Sequence, residues 1–226
     1  AELAVEALSR SLHVVIEKPM ADSLVRADRM LAAARQHDKQ LIVNWPFAWW
    51  PQLQQALECA AKGVIGDVWQ VRVWSTFTAE WSVPVVDDRP WYADADGGLF
   101  FSQCVHNFDM LRWTVGSEAR RVFASVNSHG SHGVPNLSAM AQVEFQNGAT
   151  GQLWVNLEMP GITFPDSQFH TQVVGEKGLL DFDGYAHLDL AVDGAWQRVW
   201  EQPAFDPLDP MDPVRLRSYT AQNQAF

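Results

Sequence analysis

The chain has 226 residues, of which 47% are hydrophobic, and a formal net charge of −11. This length predicts one large or two small globular domains, and the acidic balance argues against binding to nucleic acid or to an anionic membrane, because both need clustered Lys and Arg. The chain has no apolar run of about 20 residues and no signal-like N-terminus, which predicts a soluble cytoplasmic protein.

The first ten residues already follow a helical pattern, and no N-capping residue precedes them. No G-x-G-x-x-G spacing, the usual pyrophosphate-binding fingerprint, occurs in the chain. We therefore expect that the sequence begins inside a domain.

A short buried strand is predicted over residues 13–16, and Glu17, Lys18 and Pro19 follow it directly. In open α/β sheets, ligands bind in the crevice outside the carboxyl ends of the strands. A Lys at that place is a candidate acid, base or hydrogen-bond donor, while Pro19 fixes the backbone locally. The alternative interpretation is a charged turn after a strand.

A helix from Asp22 or Ser23 to about His37 and a second apolar strand over residues 39–45 come next. The aromatic and Pro-rich residues 44–51 then form either an apolar plug between two domains or the walls of a nicotinamide or sugar pocket. A helix over 51–62 and a half-buried strand over 68–77 are followed by residues 78–96, which have no clear period and are predicted to be a long loop.

A helix is predicted over residues 99–115, entered through Gly97 and Gly98. Ser102, His106 and Asp109 stand at i, i+4 and i+7, so one helix face presents all three. A neighbouring stripe is predicted to pack on a sheet and consists of Phe101, Val105, Phe108 and Arg112. By itself, such a His is more often structural than catalytic.

The rest of the chain is predicted to be rich in β-strands, over residues 121–127, 137–145, 149–157, 168–175, 179–182, 186–192 and 196–201, and residues 137–145 alternate clearly with period two. Asn147-Gly148 is a strong hairpin signal, and residues 214–226 are helix-like. Sequential antiparallel strands after an α/β beginning predict a two-layer α+β domain. His129 and His132 have no third ligand at metal-binding spacing, so no metal site is predicted.

Two segments carry a resemblance to a known family. The segment HVVIEKPMADS resembles the Glu-Lys-Pro segment of the Gfo/Idh/MocA oxidoreductases, and residues 97–113 are similar to that family's GG…D-x-G-x-H-x-x-D-x-x-R-W helix. The resemblance implies the C-terminal part of a Rossmann domain over 1–45 and an α+β domain with a large, mostly antiparallel sheet over 46–226. It also implies a fragment that lacks the N-terminal dinucleotide-binding half and the extreme C-terminus.

The resemblance also implies the site residues. Lys18 and His106 would flank the carbon that gives up hydride and would be the catalytic pair. NAD or NADP would contact Glu17, Lys18, Pro19 and Trp45. The substrate would contact Trp91, Ser102, Gln103 and Asp109. The family commonly carries Asp where this chain has Ser102, which cannot accept a proton near neutral pH.

The activity implied is hydride transfer between a nicotinamide dinucleotide and a secondary alcohol of a sugar or polyol. In that reaction His106 is the general base, Lys18 donates to the developing carbonyl oxygen and Asp109 orients His106 or a substrate hydroxyl. The resemblance further implies a homodimer or homotetramer formed through the uncovered sheet face. Two alternatives stay open: a non-catalytic homologue that senses sugar or dinucleotide, and a redox-neutral NAD-dependent lyase or glycosidase.

Overall fold

The computed structural model describes residues 1–93, 98–130, 133–206, 209 and 211–225. Gly97 and His132, which the sequence analysis singled out, lie outside these residues. The chain forms two compact units, Ala1–Trp45 and Pro46–Phe226. Among the described helices, none combines the length and the apolar character that a membrane span needs.

The first unit is a small α/β layer in which two parallel strands pair in register. Its elements are α1 (Glu2–Ser9), β1 (Val14–Glu17), α2 (Leu24–Gln36) and β2 (Leu41–Asn44). Ser23 caps α2, because its Oγ accepts a hydrogen bond from the Arg26 N–H at 3.4 Å. Leu8, Ala33 and Ala34 form the core, on which Val14 and Leu41 pack.

The prediction of fully buried strands in this unit is wrong for the described residues. Val15 on β1 is exposed, while Val14 beside it packs on the helices. Successive side chains of a strand point to opposite faces, and Val14 is the side chain of the pair that packs on the core formed by α1 and α2. The sequence predicts buried strands because residues on both faces of these strands are apolar.

The second unit has a large sheet with helices. Its elements are a 3-10 turn (Pro46–Trp49), α3 (Pro51–Ala61), β3 (Val68–Thr78), α4 (Ala79–Asp88), a second 3-10 turn (Pro90–Ala93), α5 (Gly98–Val115), β4 (Ala119–Asn127), β5 (Ser138–Phe145), β6 (Thr150–Met159), β7 (His170–Gly175), β8 (Gly178–Asp183), β9 (His187–Val192), β10 (Ala195–Glu201) and α6 (Pro213–Ala225). The eight strands follow the order β10-β9-β8-β7-β3-β6-β5-β4. Only the β3–β6 pair of this sheet is parallel among the described strands. The predicted α/β start followed by a mostly antiparallel α+β domain is confirmed.

Helix α5 packs on one face of the sheet through polar as well as apolar contacts. Asn107 Nδ2 donates to Ser75 Oγ at 2.7 Å, and the Thr171 hydroxyl donates to Met110 Sδ at 3.0 Å. These bonds satisfy polar groups that would otherwise be costly to bury. They fix the height and rotation of α5 over β3 and β7.

The opposite face of the sheet, called here the open face, carries alternate residues of each strand. Its central residues are Arg72, Met140, Gln142, Gln152, Trp154 and Gln172, and cross-strand register aligns them. Most of them are exposed, whereas their neighbours in sequence on the helix-covered face are buried. The alternation predicted for β3 and β5 is therefore confirmed.

Two expectations for the segments around α5 are wrong. Residues 79–88 form a helix rather than part of a long loop, because α4 packs on β3 and β6 in spite of Pro84 in its interior. Two members of the stripe predicted to pack on the sheet, Phe101 and Phe108, are instead 41% and 40% exposed, while Val105 is half-buried beside Phe145 of β5. The polar contacts of Asn107 and Met110 hold a different side of α5 against the sheet.

Candidate active site

Within the first unit, the Glu-Lys-Pro segment lies at the carboxyl end of β1, as predicted. Glu17 is in register with Asn44 on β2, and Asn44 Nδ2 donates to the Glu17 carboxylate. The backbone N–H of Lys18 donates to the same carboxylate at 3.2 Å, and the Lys18-Pro19 peptide bond is cis. Glu17 therefore ties the two strand ends together, and Lys18 follows directly at that edge.

Within the second unit, α5 presents Ser102 and His106 as predicted, one turn apart. They are 1% and 5% exposed. Burial of two polar side chains at i and i+4 costs free energy unless both have partners. This turn of α5 is therefore the strongest candidate for a functional site in the second unit.

Two aromatic side chains pack against His106. The ring centroid of Phe47 lies 4.4 Å from that of His106, and Phe169 makes an edge contact at 5.6 Å. Phe169 is buried and has φ +69, in the left-handed region that a bulky residue rarely adopts. Such a backbone is held by its surroundings and is typical of functional sites.

Phe47 also borders a cavity of about 370 Å³. Trp50 stacks on Phe47 at 4.0 Å, and Tyr185 packs on Trp50 at 4.9 Å. Gly184 lies against the Trp50 ring, since a Cβ at Gly184 would be 2.2 Å from Trp50 Cζ3. The cavity thus has aromatic walls, and Gln168, Gln202 and Arg217 add polar groups to its lining.

Tyr92 and Arg89 lie beside Ser102. Tyr92 is buried, and its phenolic oxygen lies 3.2 Å from Ser102 Oγ. Arg89 Nη1 donates to the Tyr92 oxygen at 3.4 Å. Trp91, predicted to contact substrate, is exposed, and its ring centroid lies 3.9 Å from that of Tyr92. Gln103 is half-buried.

Asp109 differs from Ser102 and His106 in its surroundings. It lines a small cavity of about 180 Å³ with Val105, Phe108 and Phe145, and its carboxylate lies 3.9 Å from Arg112 Nη1. Burial raises the pKa of the Asp109 carboxyl, and Arg112 opposes that rise. Asp109 thus lies at the junction of α5 with β4 and β5.

A second cluster of titratable groups lies on β7, β8 and β9. His170 Nε2 is 2.8 Å from Asp181, and the His170 ring stacks on Trp74 at 4.1 Å. Burial lowers the pKa of His170, but the acceptors Asp181 and the Asp166 carbonyl outweigh it and raise the pKa overall. Burial raises the pKa of Asp183 to about 6.

Sequence reasoning missed Tyr92, Arg89 and Phe169. The first two fall in the segment interpreted as a loop, and the left-handed backbone of Phe169 has no signal at a non-Gly residue. Phe47 falls in residues 44–51, for which the sequence leaves two possibilities, an apolar plug or a pocket wall, and the structure places its ring against His106.

Two family models match the chain. Residues 1–45 match the model described as an oxidoreductase family with an NAD-binding Rossmann fold, and residues 53–181 match the GFO/IDH/MocA C-terminal domain. The second match by itself covers more than half of the chain.

Curated relatives are similar to part of the chain. The uncharacterized oxidoreductase YrbE of Bacillus subtilis is 29% identical over 153 residues, which are 66% of this chain and 43% of that protein. The myo-inositol 2-dehydrogenase of Thermotoga maritima is 27% identical over 154 residues, which are 66% of this chain and 44% of that protein. The matches thus span less than half the length of either relative.

Solved structures share the fold. An oxidoreductase from Agrobacterium radiobacter, solved in complex with NAD+, L-tartaric acid and magnesium, superposes with a TM-score of 0.81 at 20% identity. The match covers 99% of this chain and 64% of that one.

Proposed function

The chain belongs to the GFO/IDH/MocA oxidoreductase family, and we propose that the complete gene product transfers hydride between NAD(P) and a secondary alcohol of a sugar, a polyol or a derivative of one. The observation that carries the proposal is the burial of His106 on α5 with its ring against Phe47 and Phe169. An imidazole kept from solvent and held by two aromatic rings supports a role for His106 in the proposed reaction.

The residues of the first unit fit a nicotinamide dinucleotide. Two parallel strands end side by side at Glu17 and Asn44, and parallel strands bind ligands beyond their carboxyl ends. Glu17, Lys18, Pro19 and Trp45 would hold the cofactor there. When bound, the nicotinamide accepts or supplies the hydride.

The protein's own residues then have three tasks. His106 takes the hydroxyl proton as general base, since imidazole titrates close to neutral pH. Lys18 donates a hydrogen bond to the carbonyl oxygen as charge develops on it. Ser102, Gln103, Trp91 and Asp109 would contact or orient the substrate or His106.

The aromatic cavity beside Phe47 supports a sugar or polyol as the substrate class. Aromatic rings offer flat apolar surface, while Gln and Arg side chains offer hydrogen-bond partners for hydroxyl groups. The myo-inositol 2-dehydrogenase relative and the NAD+ complex of the Agrobacterium protein are consistent with this chemistry.

The test uses the complete gene product. NAD+ and NADP+ are titrated by intrinsic Trp fluorescence, and a panel of sugars and polyols is then added while the absorbance of reduced nicotinamide is followed. Binding with reduction supports the dehydrogenase. Binding without reduction across the panel points to the sensor or to the redox-neutral enzyme, and absence of binding contradicts the proposal.

Substitutions assign the two catalytic roles. Lys18→Met and His106→Ala are each expected to lower kcat by about 100-fold or more, the range of acid–base catalysis. Lys62→Met and His129→Ala are matched controls, because Lys62 pairs with Glu58 on the exposed side of α3 and His129 lies in a loop. Wild-type turnover in both catalytic variants would refute the assignment.

We also propose that copies of the chain associate through the open face. Its central residues include exposed apolar side chains such as Met140, and a sheet face without a covering layer is commonly buried by association.

A further inference from the structure

Two separate contacts join Tyr92 to the first turns of α5. Its phenolic oxygen is 3.2 Å from Ser102 Oγ. Its carbonyl oxygen fills the space beside Gly98, where a Cβ would be only 2.4 Å away, and Gly98 has φ +57. The start of α5 is therefore shaped around Tyr92 by both side chain and backbone.

Arg89 adds a donor to the same contact. A guanidinium group only donates, so the Tyr92 oxygen accepts from Arg89 Nη1 at 3.4 Å. Between Tyr92 and Ser102, either hydroxyl can donate to the other. The Arg89 guanidinium also lies 5.7 Å from the centre of the Tyr92 ring, which adds a cation–π contact.

We propose that Tyr92 is a positioning residue for His106 and acts through Ser102. Residues at i and i+4 of a helix are neighbours about 5–6 Å apart at Cβ, so a tethered Ser102 limits the rotation and tilt of the turn that carries the imidazole. Arg89, Tyr92 and Ser102 thus form one hydrogen-bonded network that ends on this turn of α5. This inference rests on the proposed function, because it assigns Tyr92 a part in preparing the general base.

The alternative is that Tyr92 only packs. Tyr92→Phe separates the two, since it keeps the ring that contacts Trp91 and removes only the hydroxyl. Ser102→Ala removes the other end of the same bond. If the two hydroxyl groups act as one unit, kcat falls no further in the double variant than in either single variant.

The experiment compares the complete wild-type protein with Tyr92→Phe, Ser102→Ala and the double variant, with Ser9→Ala at the exposed end of α1 as the control. We expect kcat to fall about tenfold in each single variant, the loss that corresponds to one buried hydrogen bond, with KM for the dinucleotide within about twofold. The midpoint of the His106 titration, followed by NMR on histidine-labelled protein, should move equally in both single variants.

Additive losses in the double variant, or an unmoved His106 midpoint in Tyr92→Phe, would overturn the inference. The NMR titration needs no turnover. A wild-type protein that reduces no cofactor would therefore refute the proposed function while leaving the link from Tyr92 to His106 to be decided by the midpoint alone.

Discussion

Two carboxylates two residues apart on β8 differ in how the fold treats their charge. Burial raises the pKa of Asp181, but hydrogen bonds from His170 and Gln172 outweigh it and lower the pKa overall. Asp183 is 2% exposed, and burial raises its pKa to about 6 in spite of the hydrogen bond from the Tyr185 N–H. The fold thus stabilises one charge and penalises the other.

We expect Asp183→Asn to stabilise the protein at pH 8. The pKa of Asp183 is about 6 in the folded protein, against an ordinary value of 3.8. The free energy of unfolding therefore falls as pH rises from about 4 to 6, and above pH 6 the whole cost of the buried charge remains. Asn keeps an acceptor for Tyr185 and removes the buried charge. The gain should be about 1 to 3 kcal/mol at pH 8 and small at pH 4.5, measured by urea unfolding.

Asp181→Asn is the matched variant with the opposite sign. Because the folded pKa of Asp181 is lowered, its stabilising contribution is present at neutral pH and is lost as pH falls through the folded pKa. We expect a destabilisation of about 1 to 3 kcal/mol at pH 7. The same direction of change in both variants would contradict this view of β8.

At the scale of elements, the glycines at the two ends of α5 separate the cost of a steric clash from the cost of a positive φ. Gly98 and Gly116 both have positive φ, +57 and +65, but only Gly98 has an atom within 4 Å of its missing Cβ. Gly116→Ala should cost about 1 kcal/mol. Gly98→Ala should cost clearly more by urea unfolding, because the Tyr92 carbonyl must move, and equal costs would mean that this contact relaxes freely.

At the scale of the whole molecule, association through the open face predicts a face-specific effect. Met140, 54% exposed, points to the open face, and Val122, 56% exposed, shares the helix-covered face with Val143. Met140→Glu should shift the mass measured by light scattering toward the monomer, while Val122→Glu should not. A monomeric wild-type protein, or dissociation by Val122→Glu alone, would refute the open face as the interface.

Several features follow from the sequence alone because they depend on residues close together in the chain. Three predicted features rest on spacings of two to four residues: the alternation of β3 and β5, the cap of α2 by Ser23, and the placement of Ser102 and His106 one turn apart. The Glu-Lys-Pro segment after an apolar strand belongs to the same class. Local geometry determines these features, so the pattern by itself is sufficient.

Tertiary structure decided the rest. The helical state of α4, the side of α5 that meets the sheet, the parallel pairing of β3 with β6 and the left-handed Phe169 depend on partners distant in sequence. The contacts of His106 with Phe47 and of Ser102 with Tyr92 are of the same kind. Burial and hydrogen bonding between remote segments outweigh local propensity at these places, and no spacing in the sequence records which segments will meet.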